Sequence, residues 1–331
     1  MQVQPRHFCT LFDRGYTFKG VAMLRSLYRH CPGAHVFVLC MDDVTQKTLQ
    51  GLSFPALTCI ALADFEDQAM LEAKKTRNVA EYCWTLTPCL AWHVLERDPT
   101  IASITYLDAD LYFYSPVQPL FDEIGDASIA IIEHRFTPRL QHLEVNGRYC
   151  VEWVGFRRDQ EGMACLKQWR AQCLEWCFAR LEDTRMGDQK YLDAWPKDYR
   201  SVHVLQHEGA GLAPWNFDRY QFARLPDGGL GVNGVPLIFY HFHQFQLLEG
   251  GKFDRLSASY IAEQREPEDV YAAYESALRQ AVAEVQRLVP GFCFGIKSSA
   301  HVTSRRLVQR FVPRPLKELL RRMMTLMAGK R

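Results

Sequence analysis

Over the first 112 residues the apolar positions switch repeatedly between an unbroken run and a helical period. Residues 7–11 form a short apolar run that ends in an Asp-Arg-Gly turn. From 16 to 29, Phe18, Val21, Ala22, Leu24, Leu27 and Tyr28 recur at helical spacing, and Pro32-Gly33 closes the segment; this predicts a helix. HVFVLC (35–40) reads as a buried strand, 58–63 as a third, and 78–96 as a long helix with Pro88 inside it or at a break. ITYLD (104–108) is a fourth strand with acids at its end. Strands alternating with helices predict an α/β fold with a mostly parallel sheet flanked by helices. Ligands of such sheets bind beyond the carboxyl ends of the strands, where Thr10, Asp13, Asp42, Asp43, Asp108 and Asp110 fall.

The second part of the chain is mixed. A strand is predicted over 127–133, a helix rich in Trp and Cys over 159–180, and a short helix over 188–195 ended by Pro196. Strands follow at 202–205 and 237–241, a long amphipathic helix at 267–288 and a basic one at 315–328. No internal repeat or low-complexity segment interrupts them.

Composition narrows the class. With 331 residues, 48% of them hydrophobic, the chain can bury the core of one large α/β domain, with or without an appendage. A formal net charge of +1 gives no field for nucleic acid, but its distribution is uneven. Ten Lys and Arg against the single acid Glu318 make residues 297–331 net +9, which leaves −8 on the first 296. Leu316, Leu319, Leu320, Met323, Met324 and Met327 form a stripe among Arg314, Lys317, Arg321 and Arg322. Such a basic amphipathic helix suits the surface of an anionic membrane, here through 313–331; packing on the domain or on another subunit is the other reading. Eleven cysteines without a C-x-x-C pair, Cys173 and Cys177 lying among Trp and Leu, read as core thiols of a reducing compartment. The first ten residues lack the layout of a signal peptide, and no window approaches the about 18 apolar residues of a membrane span. A cytoplasmic protein, peripheral on the inner face of a membrane, is the expectation.

The strongest chemical signal is the strand followed by Asp-x-Asp in ITYLDADLYF. Spacing of two puts the carboxylates of Asp108 and Asp110 on one side of an extended segment. There they would repel unless a cation sat between them, and Mg²⁺ or Mn²⁺ with oxygen ligands can also hold a diphosphate. A solvated turn is the plainer reading of the motif alone.

The order and spacing of four segments carry more weight than any one of them: CTLFDRGYTFKGVAMLRSL, YLDADLYF, GDQKYLDAWP, and HFHQF before Gly250-Gly251-Lys252. Over roughly residues 7–255 the chain resembles the GT-A glycosyltransferases. It is most similar to the retaining enzymes of glycosyltransferase family eight, the glycogenin and bacterial galactosyltransferase group. The resemblance implies the GT-A nucleotide-diphospho-sugar transferase fold with a helical C-terminal extension. It divides the chain into a catalytic domain, 1–265, and an extension, 266–331; 1–112 is the nucleotide-binding half and 113–265 the sugar and acceptor half. Thr10, Asp13 and Tyr16 fall in the nucleotide-binding segment, with Tyr16 against the base, and Asp108 joins them.

The resemblance also implies a metal, Mn²⁺ or Mg²⁺, held by Asp108, Asp110 and a histidine of an H-F-x-G segment. His241 matches that ligand, although Gln244 replaces the glycine; His243 is the competing candidate. Asp188-Gln189 resembles the pair beside the donor sugar and the reacting centre, with a helix N-cap as the rival explanation for Asp188. Trp215-Asn216 resembles an acceptor-side loop. One departure stands out: where the family carries Asn-x-Gly, this chain has Cys150-Val151-Glu152-Trp153. Glu152 is then an altered sugar contact, a nucleophile for double displacement, or a surface acid in a misaligned loop.

The function implied is transfer of a hexose from a nucleotide-sugar, a UDP-sugar, to a hydroxyl of a glycan or lipid-linked acceptor, with retention. Metal-dependent aspartyl phosphatases also use Asp-x-Asp after a strand, but there it should end the first strand, not the fourth. A catalytically silent sugar- or nucleotide-binding protein of the same fold is the alternative from another class. No G-x-G-x-x-G follows the first strand, which removes the dinucleotide oxidoreductases.

Overall fold

The structure, a computed structural model, describes residues 6–255, Tyr260 and 264–298. The apolar runs of the first third become β1 (Arg6–Phe12), β2 (Ala34–Cys40), β3 (Leu57–Ala61) and β4 (Ser103–Leu107). Between them lie α1 (Thr17–His30), α2 (Asp43–Gly51), the shorter α3 (Leu62–Phe65) and α4 (Gln68–Lys74), and α5 (Val79–Arg97). There follow β5 (Leu111–Phe113), α6 (Gln118–Ile124), β6 (Ile129–Glu133), β7 (Tyr149–Arg157), α7 (Gln160–Glu175), α8 (Trp195–Asp198) and β8 (Val202–Leu205). The chain then forms a small meander of β9 (Phe222–Arg224), β10 (Leu230–Val232) and β11 (Val235–Pro236), then β12 (Phe239–His241), and later α9 (Glu268–Leu288).

Seven strands make the main sheet in the order β3-β2-β1-β4-β7-β6-β8. All neighbours are parallel except β7, which runs antiparallel to β4 and β6. The chain moves outward from β1 to β3 and returns to place β4 on the other side of β1. That reversal opens a crevice at the carboxyl ends of β1 and β4.

Helices cover the sheet for reasons visible in their sequences. α5 starts with a reciprocal cap: Glu81 N donates to Asn78 Oδ1 at 3.0 Å, and Asn78 N donates to Glu81 Oε2 at 2.9 Å. It runs on through Pro88 without a break, held by Leu86, Leu90 and Val94 in the core it shares with α7. Trp169 of α7 lies 5.9 Å from Phe156 and 5.4 Å from Trp195 in the same core. Cys173 and Cys177 are buried there as free thiols, as small apolar groups do. α1 packs against α9 and β5, with Phe18 edge-on to Phe292 at 5.2 Å and Arg25 paired to Glu284 at 2.7 Å.

Several expectations change in detail. The helix expected over 159–180 stops at Glu175, because Trp176 turns extended and closes the last turn through its N–H to Gln172 O. The short helix expected over 188–195 is a 3-10 segment, Lys190–Ala194, that passes into α8. Pro196 sits in the first turn of α8, where its missing N–H costs nothing. The segment around Glu152 is no loop: it is the middle of β7, a buried central strand. The basic stripe over 313–331 lies outside the described residues.

The chain divides into two units, Met1–His243 with Ala262–Gly295, and Gln244–Ile261 with Ile296–Arg331. The second holds β13 (Gln246–Leu248) paired antiparallel to β14 (Lys252–Asp254) and parallel to β15 (Ile296–Lys297).

Candidate active site

Two strand pairings assemble the acids. β4 ends at Leu107 and delivers Asp108 to the crevice; after one tight turn Asp110 leads into β5. β5 pairs antiparallel with β12, Leu111 opposite His241 and Phe113 opposite Phe239. Phe242 N donates to Asp110 O at 2.9 Å and extends the ladder past the motif. His241 is therefore fixed beside residue 110 although 131 positions separate them. Its Nε2 lies 3.1 Å from Asp110 Oδ1 and 3.7 Å from Asp108 Oδ2. Donor atoms of Asp108, Asp110 and His241 all fall within 4.8 Å of one another. α9 braces this strand from behind, through Tyr240 Oη and Tyr271 Oη at 3.0 Å and Phe242 stacked on Tyr274 at 3.8 Å.

Of the two candidate histidines, it is His241 that reaches both carboxylates. The His243 ring lies 5.5 Å from it and 5.6 Å from Trp215. Burial first, and the neighbouring His241 second, push the imidazole of His243 down to about 3.

The charges at the site are strongly coupled. Burial pushes Asp108 up to about 6, helped by Asp110 and opposed by His241; Tyr106 donates to its Oδ1 at 3.2 Å. Burial acts the same way on Asp110, but Lys19 and His241 outweigh it and hold the group well below the usual carboxylate range. Burial would lower His241, yet Asp110, Cys150 and Glu152 together keep it well above an ordinary histidine. Lys19 Nζ stands 3.4 Å from Asp110 Oδ2 and 4.5 Å from the Tyr16 ring centroid. Sequence reading passed over Lys19; its place one helical turn beyond Tyr16 in α1, among the segment expected to hold the nucleotide, was the available signal.

The β1–α1 loop supplies the other wall. Thr10 lies two residues inside β1, fully buried, and its hydroxyl has no hydrogen-bond partner. Asp13 accepts from Gly15 N at 2.9 Å and shapes the loop. Tyr16 is 43% exposed, at the mouth of this loop. Asp42 is a helix cap: its Oδ1 accepts from Thr45 N and its Oδ2 from Arg14 N, each at 2.8 Å, tying α2 to this loop.

Asp188 is buried close to Asp108. Burial, and the charge of Asp108 after it, push it up to about 8. The 3-10 segment that follows has Gln189, not Asp188, at its N-cap, and the Gln189 side chain makes no cap. Gln189 Nε2 donates to Asn146 O at 3.0 Å, and Trp169 Nε1 to Asp188 O at 2.9 Å.

The remaining candidates point inward. Asn216 is buried with both ends of its amide in use, donating to His134 O and Gly211 O and accepting from Ala213 N. Trp215 is buried, donates to His134 O at 2.8 Å and stands edge-on to His241 at 5.2 Å. Trp215 braces the histidine, and Asn216 fixes the 211–213 loop whose Leu212 O accepts from His241 N. Glu152, on β7 beside Asp108, is 0% exposed, with Oε2 2.6 Å from His241 Nδ1. It is neither a surface acid nor open to a sugar.

The donor set of two carboxylates and one imidazole fits a divalent cation such as Mg²⁺ or Mn²⁺. Lys19 and His241 show by their positions that these acids draw positive charge. No family model matches the chain. Two proteins of Bacillus subtilis (strain 168), both described as uncharacterized, are similar over nearly their whole length. YfnD is 33% identical over 292 residues, 87% of this chain and 94% of YfnD. YfnF is 30% identical over 295 residues, 86% of this chain and 95% of YfnF. Among solved structures, the galactosyltransferase LgtC in complex with donor and acceptor sugar analogs is similar in fold. Its TM-score is 0.50 at 13% identity, over 87% of this chain and 99% of LgtC. The chain thus has the GT-A glycosyltransferase fold and belongs to the family of YfnD and YfnF.

Proposed function

We propose that this protein is a metal-dependent glycosyltransferase that moves a hexose from a nucleotide-sugar, a UDP-sugar, to a hydroxyl of a glycan or lipid-linked acceptor, with retention. The observation that carries it is the convergence of Asp108, Asp110 and His241 at the carboxyl end of β4, in a GT-A fold, with Asp188 close by. Asp108, Asp110 and His241 would hold Mn²⁺ or Mg²⁺, which supplies charge stabilisation for the departing diphosphate. Tyr16 and Asp13 face the nucleotide from the β1–α1 loop. Lys19 turns from Asp110 to the diphosphate, adding a second positive charge where negative charge develops. Asp188 and Gln189 orient the sugar beside the reacting carbon. The buried Trp215 and Asn216 fix the histidine strand and the loop in front of it.

The test is a panel of nucleotide-sugars scored for thermal stabilisation and hydrolysis with and without Mn²⁺ or Mg²⁺. One donor should be hydrolysed only with metal, and Asp110→Ala should abolish this while the circular dichroism spectrum stays native. Thermal stabilisation by a donor that is never hydrolysed favours a catalytically silent binder, and turnover by Asp110→Ala after chelation refutes the metal role.

A further inference from the structure

We propose that Glu152 is a positioning residue that holds His241 by its Nδ1 and presents Nε2 to the metal, an inference that rests on the metal-dependent reading above. Its geometry follows from two ladders. β4 and β7 pair with Leu107 opposite Trp153, and Asp108 N donates to Glu152 O at 3.2 Å. The β6–β7 register shifts at this point, with Ile132 opposite Cys150 but Ala130 opposite Gly155. Such an irregularity re-aims the side chains of the bulged strand. Glu152 Oε2 meets His241 Nδ1 at 2.6 Å, on the far side of the ring from Asp110.

Hydrogen-bond chemistry then sets the ring. An ionised carboxylate only accepts, so Nδ1 must carry a proton and donate. The neutral form with Nδ1–H leaves its lone pair on Nε2, the atom aimed at Asp110 and Asp108. A carboxylate behind a metal-bound histidine fixes tautomer and ring rotation and makes the imidazole a better donor.

The position is closed to substrate. Glu152 is 0% exposed, and Oε1 has no hydrogen-bond partner. That oxygen faces Gly211, which has a φ of +73°; a Cβ there would stand 3.5 Å from Oε1 and 2.7 Å from Ile132 Cδ1. A sugar cannot reach either oxygen. Burying a carboxylate costs several kcal/mol unless it is paired, so an acid in the centre of a sheet demands the partner it has. Cys150, two residues earlier on the same face of β7, completes a buried group with Glu152 and His241.

Mn²⁺ binding to the full-length chain, followed by electron paramagnetic resonance, tests the assignment without reference to turnover. Glu152→Gln keeps the shape and removes the charge; it should weaken Mn²⁺ about tenfold or more while the fold, read by circular dichroism, persists. In a His241→Ala background the same substitution should weaken Mn²⁺ no further. Wild-type affinity in Glu152→Gln, or an equal loss without His241, overturns the inference and leaves the metal reading standing. A wild-type chain that binds neither Mn²⁺ nor Mg²⁺ overturns both. One zinc per purified chain, lost in Glu152→Gln, overturns it in favour of a separate metal site at Cys150, Glu152 and His241. Should the variant not fold, the nitrogen spectrum of wild-type imidazoles with Mg²⁺ decides: His241 must show Nδ1 protonated and Nε2 without a proton, and the opposite tautomer refutes the role.

Discussion

Consider Asp188→Asn in the metal-free protein. Asp188 is 6% exposed, and its carboxyl is pushed from an ordinary 3.8 up to about 8 by burial and by the charge of Asp108. Between these two values the native chain keeps a proton that the unfolded chain releases. Native therefore binds more protons, and its stability falls as pH rises through this window. Each pH unit costs about 1.4 kcal/mol, so the penalty is roughly 4 kcal/mol at pH 7 and about 1.5 kcal/mol at pH 5. It is absent below the unfolded value and fully present above the folded one. Asparagine is the same size and cannot ionise, so it removes the penalty. Unfolding entropy near 2.1 cal/mol/K per residue makes 4 kcal/mol worth about 6 °C in a chain of this length. Thermal melts in EDTA should show Asp188→Asn melting higher than wild type at pH 7, with a smaller gain at pH 5. The same variant should lose sugar transfer while keeping its affinity for the nucleoside diphosphate. A melting temperature unchanged or lowered at both pH values refutes the electrostatic argument. Retained transfer refutes the role at the sugar.

Two further tests address other parts of the chain. Glu123 accepts from Gln206 N at 2.6 Å, His207 N at 3.0 Å and His203 Nε2 at 2.9 Å; burial raises its pKa, but these contacts outweigh burial and lower it. Its contribution is complete above the unfolded value of 4.5 and fades as pH falls through the lower folded one, so Glu123→Ala should cost about 1–3 kcal/mol at pH 7 and flatten the acid limb of the urea-midpoint profile. The tail beyond Pro313 lies outside the described residues; its charge and Leu/Met stripe predict that a chain ending at Val312 keeps its fold and donor hydrolysis but no longer sediments with anionic liposomes at low salt, and truncation that unfolds the domain refutes this.

The parallel half of the sheet was legible because a strand buried on both faces must be apolar along its whole length, as HVFVLC is. The Asp-x-Asp motif was legible because its two acids directly follow such a strand. β7 was not: YCVEWVGFR is buried from Tyr149 to Phe156, but Glu152 interrupts the apolar run and reads as a loop residue. The misfit is itself informative, since a central strand tolerates an acid only with a partner, and His241 lies 89 positions away. Trp215 and Asn216 resembled acceptor contacts because polar and aromatic types alone do not tell which way a side chain faces. Three hydrogen bonds turn Asn216 inward, two within its own loop and one to His134 O, 82 positions away, and a single sequence does not reveal that distant partner.

Between Gly209 and β12 the chain makes a nearly closed excursion. Ile238 N and Phe239 N both return to Gly209 O, and His241 N to Leu212 O. The β9–β11 meander therefore leaves and rejoins the scaffold at nearly one point. An ion pair of Arg224 with Asp269 at 3.1 Å ties it to α9; a change of length within 222–236 would reshape the meander, while the backbone pairings that set His241 beside Leu111 and Leu212 are made outside it.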